Sequence, residues 1–255
     1  MPFQKIQTEK LSQSVVRQIE LLILRGVLKP GERLPSERDL AERLGVSRPS
    51  LREALAELED KALLSTQPGA GVFVAEALGS AFSEPLTQLF ARHAEALSDY
   101  LSFRRELEGM AAQRAATKAS ETDLMLIDTL FTKMTTASHH RNPEVEAALD
   151  AEFHLAIIEA SHNVIMVHMM RSMFELLRRG VFYNRKVMFS QKTTRSALLD
   201  QHRAINQALQ QRDAIAARKT VERHLDFVET AMNQQRQAEL HEAVAMQRLE
   251  REKQR

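Results

Sequence analysis

The sequence predicts a mainly α protein in two parts: an N-terminal winged helix-turn-helix with a small β wing, then an all-α helical bundle. Three observations carry that expectation. Gly and Pro crowd the chain before residue 86, as Pro30-Gly31, Pro35, Gly45, Pro49, Pro68-Gly69, Gly71, Gly79 and Pro85. Beyond that point only Gly109, Pro143 and Gly180 occur, among Ala, Leu, Met, Gln, Glu and Arg, which are mostly good helix formers. Between the early turns lie short helical patterns, closed by two extended runs.

The elements follow in order. In "LSQSVVRQIELLILRGVLKPGERL" the apolar residues Val15, Ile19, Leu22 and Ile23 form one helical stripe, which Gly26 and Pro30-Gly31 stop. Ser36 can cap a short helix that turns Leu40, Ala41 and Leu44 inward, and Gly45 suits the left-handed residue that ends it. Ser47 can cap the next helix, in whose first turn Pro49 is tolerated. "LLSTQPGAGVFVAE" reads as a hairpin around Pro-Gly-Ala-Gly, the wing.

In such a unit the second short helix enters the major groove, and its N-terminal residues touch base edges. That end carries Ser47, Arg48, Ser50 and Arg52. Arg48 can fork onto guanine N7 and O6, the serines reach bases or phosphates, and Arg38 in the preceding helix can contact phosphate. The stretch "GERLPSERDLAERLGVSRPSLREALAELEDKALL" resembles the winged helix of GntR-type bacterial transcription regulators over residues 10–75. The resemblance implies that Arg38, Ser47, Arg48, Ser50, Arg52 and the wing glycine Gly69 meet DNA. Pro68 stands where some relatives place a polar wing-tip residue.

Composition bounds the rest. Hydrophobic residues make up 44% and charged residues 27%, as in ordinary globular proteins. The chain has no Cys, so a disulfide framework and thiolate metal sites are excluded, and any metal must use His and carboxylates. The N-terminus lacks an apolar leader core and no apolar run nears the roughly 18 residues of a membrane span, so the expected location is cytoplasmic. A formal net charge of +1 leaves nucleic-acid binding to local patterning.

In the helical part, polar residues interrupt apolar stripes. Positions 97, 101, 104, 108, 111 and 115 share a face and place Arg104 inward. His202 follows Leu198 and precedes Ile205 and Leu209 on one stripe, and His224 sits between Val221 and Val228 on another. Asp213, a plausible cap, lies eleven residues from each histidine, so a helical hairpin turning there brings the two imidazoles opposite one another. Facing imidazoles need a metal, a carboxylate or water between them. Asp150 and His154, one turn apart in "LDAEFHLAII", can supply two more ligands. Three His nitrogens and one carboxylate suit a divalent ion, zinc first, with manganese, nickel or iron as the alternatives. His139-His140 reads as loop surface.

The helical part resembles the FCD ligand-binding domain of the FadR subgroup, and "FSEPL", "FHLAIIEASHN" and "ERHLDFVE" are similar to regulators of lactate, glycolate and pyruvate metabolism. The resemblance implies metal ligation by Asp150, His154, His202 and His224, an acidic effector paired with Arg104, and a turn whose Asn163 lines the pocket or caps a helix. The expected layout is a DNA-binding domain over 1–76, a linker over 77–85, a metal- and effector-binding domain over 86–235 and a polar tail over 236–255. The expected function is a homodimeric transcription regulator on a palindromic double-stranded operator, controlled by a small 2-hydroxy or 2-oxo acid. The alternatives are a constitutive DNA binder with a structural metal and a metal-dependent enzyme.

Overall fold

The computed structural model describes residues 10–75, 82–178 and 192–253. The chain divides into two compact units, Met1–Phe82 with Val167–Ser172, and Ser83–Met166 with Met173–Arg255.

In the first unit, α1 (Leu11–Leu24) buries Val15, Val16, Ile19 and Ile23, the stripe that its sequence spacing predicts. The Ser36 hydroxyl accepts from the Asp39 amide to start α2 (Glu37–Leu44). Gly45 ends it with φ +64°, and the Val46 amide reaches back to the Ala41 carbonyl at 3.0 Å. Ser47 accepts from the Ser50 amide at the head of α3 (Arg48–Asp60), where Pro49 has no helical hydrogen bond to lose. The wing is an antiparallel pair, β1 (Leu64–Gln67) and β2 (Gly71–Val74), registered Leu64 to Val74 and Gln67 to Gly71. The backbone of Gly31 to Leu34 bonds to the other edge of β2, which ties the wing to the turn after α1. Leu51, Ala54, Leu58, Leu64 and Val74 close one core with α1.

Among its described residues the second unit is helical, with α8 also running through Val167–Ser172 of the first: α4 (Glu84–Arg92), α5 (Ala94–Lys118), α6 (Glu121–His140), α7 (Pro143–Ala160), α8 (Val164–Arg178), α9 (Lys192–Gln210) and α10 (Ala214–Lys253). The expected linker falls largely outside the described residues, and its last two, Glu84 and Pro85, open α4 instead. Pro fits there because the first turn donates no intrahelical bond. His139 and His140 are exposed as expected, but they end α6 rather than lie in a loop. Residues 237–253, in the expected polar tail, continue α10 as an exposed helix.

Caps set where these helices begin. Ser120 and Asp123 form a capping box on α6. Asn142 accepts from the Glu144 and Val145 amides ahead of α7. Asp213 accepts from the Ile215 and Ala216 amides and starts α10, the role its position suggests. The preceding Arg212 turns the chain with φ +55° and donates to the Ala119 carbonyl at 2.9 Å. α5 packs on α10 and α7, α6 on α7 and α9, and α9 on α10. A seam of small residues, Ala112, Ala115 and Ala116 with Ala217, lets these helices approach closely around Phe153, Ile157, Ile205 and Val221.

Candidate functional site

Each polar residue of interest in the bundle sits on a helix face that otherwise carries core. Asp150 and His154 are one turn apart on α7, between buried Ala147, Phe153 and Ile157. His202 shares its α9 face with Leu198, Ile205 and Leu209, all at most 2% exposed. His224 shares its α10 face with Val221 and Val228. The hairpin at Asp213 brings the last two rings to a centroid distance of 4.5 Å, and His154 stacks 5.1 Å from His224.

One ligand atom from each of Asp150, His154, His202 and His224 lies within 4.8 Å of the others, and all four residues are buried. Asp150 Oδ1 is 3.1 Å from His202 Nε2 and 3.8 Å from His154 Nε2. The two Nε2 atoms are 3.3 Å apart. Tetrahedral ligation with bonds of about 2.0–2.1 Å has donor–donor edges of about 3.3–3.4 Å. The observed spacings bracket that value, so the cluster can hold a divalent metal ion.

The surroundings prepare the donors. His154 Nδ1 lies 2.7 Å from Glu108 Oε2, and His224 Nδ1 lies 2.9 Å from Gln201 Oε1. An acceptor on Nδ1 places the proton there and leaves Nε2 as a bare lone pair. Burial, followed by the charges of His202 and His154, pushes His224 well below the ordinary imidazole range, which keeps it in the neutral, ligating form. Phe153 edges against both His154 and His202 and covers the cluster with hydrocarbon.

Arg104 faces inward as its stripe requires, with 2% exposure. Its Nε donates to Glu108 Oε1 at 2.6 Å, and its guanidinium carbon lies 5.2 Å from the Phe174 ring centre and 5.8 Å from that of Tyr100. Burial works to raise the Glu108 carboxyl, but Arg104 and then His154 outweigh it and hold it at about 2. Glu108 therefore links the arginine to the histidine cluster as a buried carboxylate. Glu108 and Gln201 are the residues that sequence reasoning missed. Glu108 was legible only as an inward position on α5, since its partner His154 lies on another helix.

Asn163 occupies the start of α8, where its side-chain oxygen accepts from the Ile165 and Met166 amides. That is the capping role its sequence left open. His162 adopts φ +50° and places Nε2 3.0 Å from Asp123, a turn contact outside the cluster.

In the first unit, the head of α3 presents Arg48 and Arg52 to solvent, and Arg38 is exposed on α2. Ser47 and Ser50 are bonded to one another at 2.9 Å. Arg52 Nε is 2.7 Å from Glu37 Oε2, a pair in which the arginine is 63% exposed. An ion pair so wet holds little free energy and exchanges readily for phosphate. Gly69 turns the wing with φ +75°, and no atom stands within 4 Å of where a Cβ would be.

Residues 11–74 match the family of bacterial regulatory proteins, gntR family, and residues 99–227 match the FCD domain. An Escherichia coli (strain K12) protein provisionally named L-lactate dehydrogenase operon regulatory protein is 37% identical over 228 residues, covering 88% of this chain and 86% of its own length. The Glc operon transcriptional activator of the same strain is 35% identical over 228 residues, covering 88% and 89%. The solved structure of Streptococcus agalactiae GntR aligns with a TM-score of 0.54 and 26% identity, over 86% of this chain and 98% of that one. These relatives are regulators of transcription rather than enzymes. Since the matches take in the helix-turn-helix and most of the helical bundle, the chain belongs to the GntR family of bacterial transcriptional regulators, with an FCD domain after its winged helix.

Proposed function

We propose that this regulator binds a palindromic operator as a homodimer and that a small 2-hydroxy or 2-oxo acid, such as lactate, glycolate or pyruvate, sets its operator affinity from a metal-containing pocket. The observation that carries the reading is the convergence of Asp150, His154, His202 and His224 within 4.8 Å inside the bundle. A bound divalent ion, zinc first by its ligand chemistry, supplies positive charge and an open coordination position for an oxygen of the acid. Arg104 adds a second positive charge beside that position, at present balanced by Glu108. The acid acts by population shift: it binds one dimer geometry better than the other, and DNA does the same. On the DNA side, Arg48 and Arg52 with Ser47 and Ser50 read the major groove, while Arg38 and the wing at Gly69 follow the backbone.

The relatives support the choice of acid by name alone, since one is named for an L-lactate dehydrogenase operon. The test has two arms. Duplexes selected from a random pool by the full chain are expected to carry an inverted repeat. A thermal-shift panel of lactate, glycolate and pyruvate, with and without chelator, is expected to show stabilisation that needs both acid and metal. Metal-dependent stability with no response to any acid would replace this reading with a structural metal in a constitutive DNA binder.

A further inference from the structure

One turn before Asp150 on α7, and two turns before His202 on α9, stands a second pair, the buried Glu146 and the mostly buried Arg195. Glu146 and Asp150 are spaced i, i+4, and Arg195, Leu199 and His202 are spaced i, i+4, i+7, so both pairs occupy continuous faces of the two helices. Arg195 Nε lies 3.2 Å from Glu146 Oε2, with the two side chains 13% and 4% exposed. The other carboxylate oxygen, Glu146 Oε1, is buried and has no hydrogen-bond partner. Glu146 and Arg195 line a small cavity with Met134, Ser138, Leu199 and His202. The cavity thus joins one histidine of the metal-ligand cluster to a carboxylate oxygen that accepts nothing.

A buried acceptor left unmade costs free energy, and a ligand that supplies the missing donor recovers it. A carboxylate paired to an arginine offers acceptors only, so the group that completes it must carry a proton. A hydroxyl does, whereas the oxygen of an oxo group would face the carboxylate lone pair to lone pair. Met134 and Leu199 supply the apolar part of the lining, and the Ser138 hydroxyl beside them already donates to the Thr135 carbonyl at 2.7 Å. We infer that this cavity is a subsite of the effector pocket, in which Glu146, positioned by Arg195, accepts a hydrogen bond from the effector's hydroxyl and so selects 2-hydroxy acids over their 2-oxo counterparts. The inference rests on the pocket reading given above and narrows its ligand class.

The test uses the full zinc-loaded chain at about pH 8, well above the ordinary carboxylate range. Calorimetric affinities are compared within two matched pairs, L-lactate with pyruvate and glycolate with glyoxylate. The wild type is expected to bind each hydroxy acid at least about tenfold tighter, as one hydrogen bond to a charged acceptor allows. Glu146→Gln, whose amide can donate to an oxo group, is expected to bring both ratios close to one. Glu146→Asp, which keeps the charge but withdraws the oxygen, is expected to fall between. Wild-type ratios below about threefold, or ratios unchanged by E146Q, would overturn the subsite while leaving the pocket standing. Binding of none of the four acids would overturn the pocket reading and the subsite with it. If E146Q does not fold, the wild-type ratios and those of E146D decide.

Discussion

Glu108 shows how much of the site is a matter of single residues. It touches Arg104 with one oxygen and His154 with the other, and all three side chains are at most 3% exposed. Removing one member of a buried pair leaves the other charge uncompensated, at a cost of about 3–5 kcal/mol. Glu108→Ala is therefore expected to destabilise the protein by that amount in urea denaturation, since Arg104 and His154 both lose their Glu108 contact inside the bundle. Glu108→Gln keeps an oxygen for the Nδ1 proton of His154 but loses the charge. Its metal affinity is expected to fall about 10- to 100-fold, as for other partners of metal-bound histidines, in a competition titration with a chelator. A purely structural Glu108 would lower stability in E108Q without moving that affinity. The histidines themselves were legible in the sequence, because eleven residues on either side of Asp213 is a statement about register that a hairpin must obey. Glu108 and Gln201 were not, because their partners lie on other helices and no spacing along one chain segment links them.

At the scale of elements the sequence was most legible where a cap or a turn demands one residue type. Ser36, Ser47, Gly45 and Asp213 all stand where their chemistry places them. Gly45 needs φ +64° with open space around it, so Gly45→Ala is expected to cost about 1–2 kcal/mol from backbone strain alone, read as a lowered Tm. The capping box on α6 gives a pH-dependent case. Burial tends to raise the Asp123 carboxyl, but hydrogen bonds from Ser120 and the nearby His162 hold it below its ordinary value. A carboxyl depressed by folding stabilises above its unfolded pKa, and that contribution is lost as pH falls through the folded one. Asp123→Asn is expected to cost about 1 kcal/mol at neutral pH, and the gap to wild type should close below about pH 4. A gap that persists into acid would mean that Asp123 acts through shape rather than charge. The start of α4 was missed for a simple reason: a junction that ends on Pro85 and a helix with Pro in its first turn look alike in sequence.

The whole molecule joins a gntR-type winged helix to an FCD domain, and the proposed coupling of DNA and acid binding makes quantitative demands. A net charge of +1 gives no general pull on DNA, so in the proposed reading affinity comes from the exposed arginines of α2 and α3. Operator binding by the dimer is expected to weaken steeply with salt, and each phosphate-contacting arginine lost should reduce the slope by about one per contact. Arg48→Ala, at the position proposed to read bases, is expected instead to cost about 1–3 kcal/mol on the selected operator and little on random duplex, measured by fluorescence anisotropy.

The proposed control by an acid adds a stricter requirement, because coupling between two binding sites is reciprocal. If a saturating acid changes operator affinity by some factor, saturating operator must change acid affinity by the same factor in the same direction. The two factors come from independent titrations, anisotropy on labelled duplex and calorimetry on the acid, at one temperature and salt. Regulatory couplings are typically 5- to 150-fold, well within reach of both methods. A factor of one in both titrations would leave the buried Asp/His cluster as a structural metal site and the protein as a constitutive DNA binder. A shared factor different from one is expected, and it should vanish in Asp150→Ala, which removes a ligand far in sequence from every residue assigned to DNA.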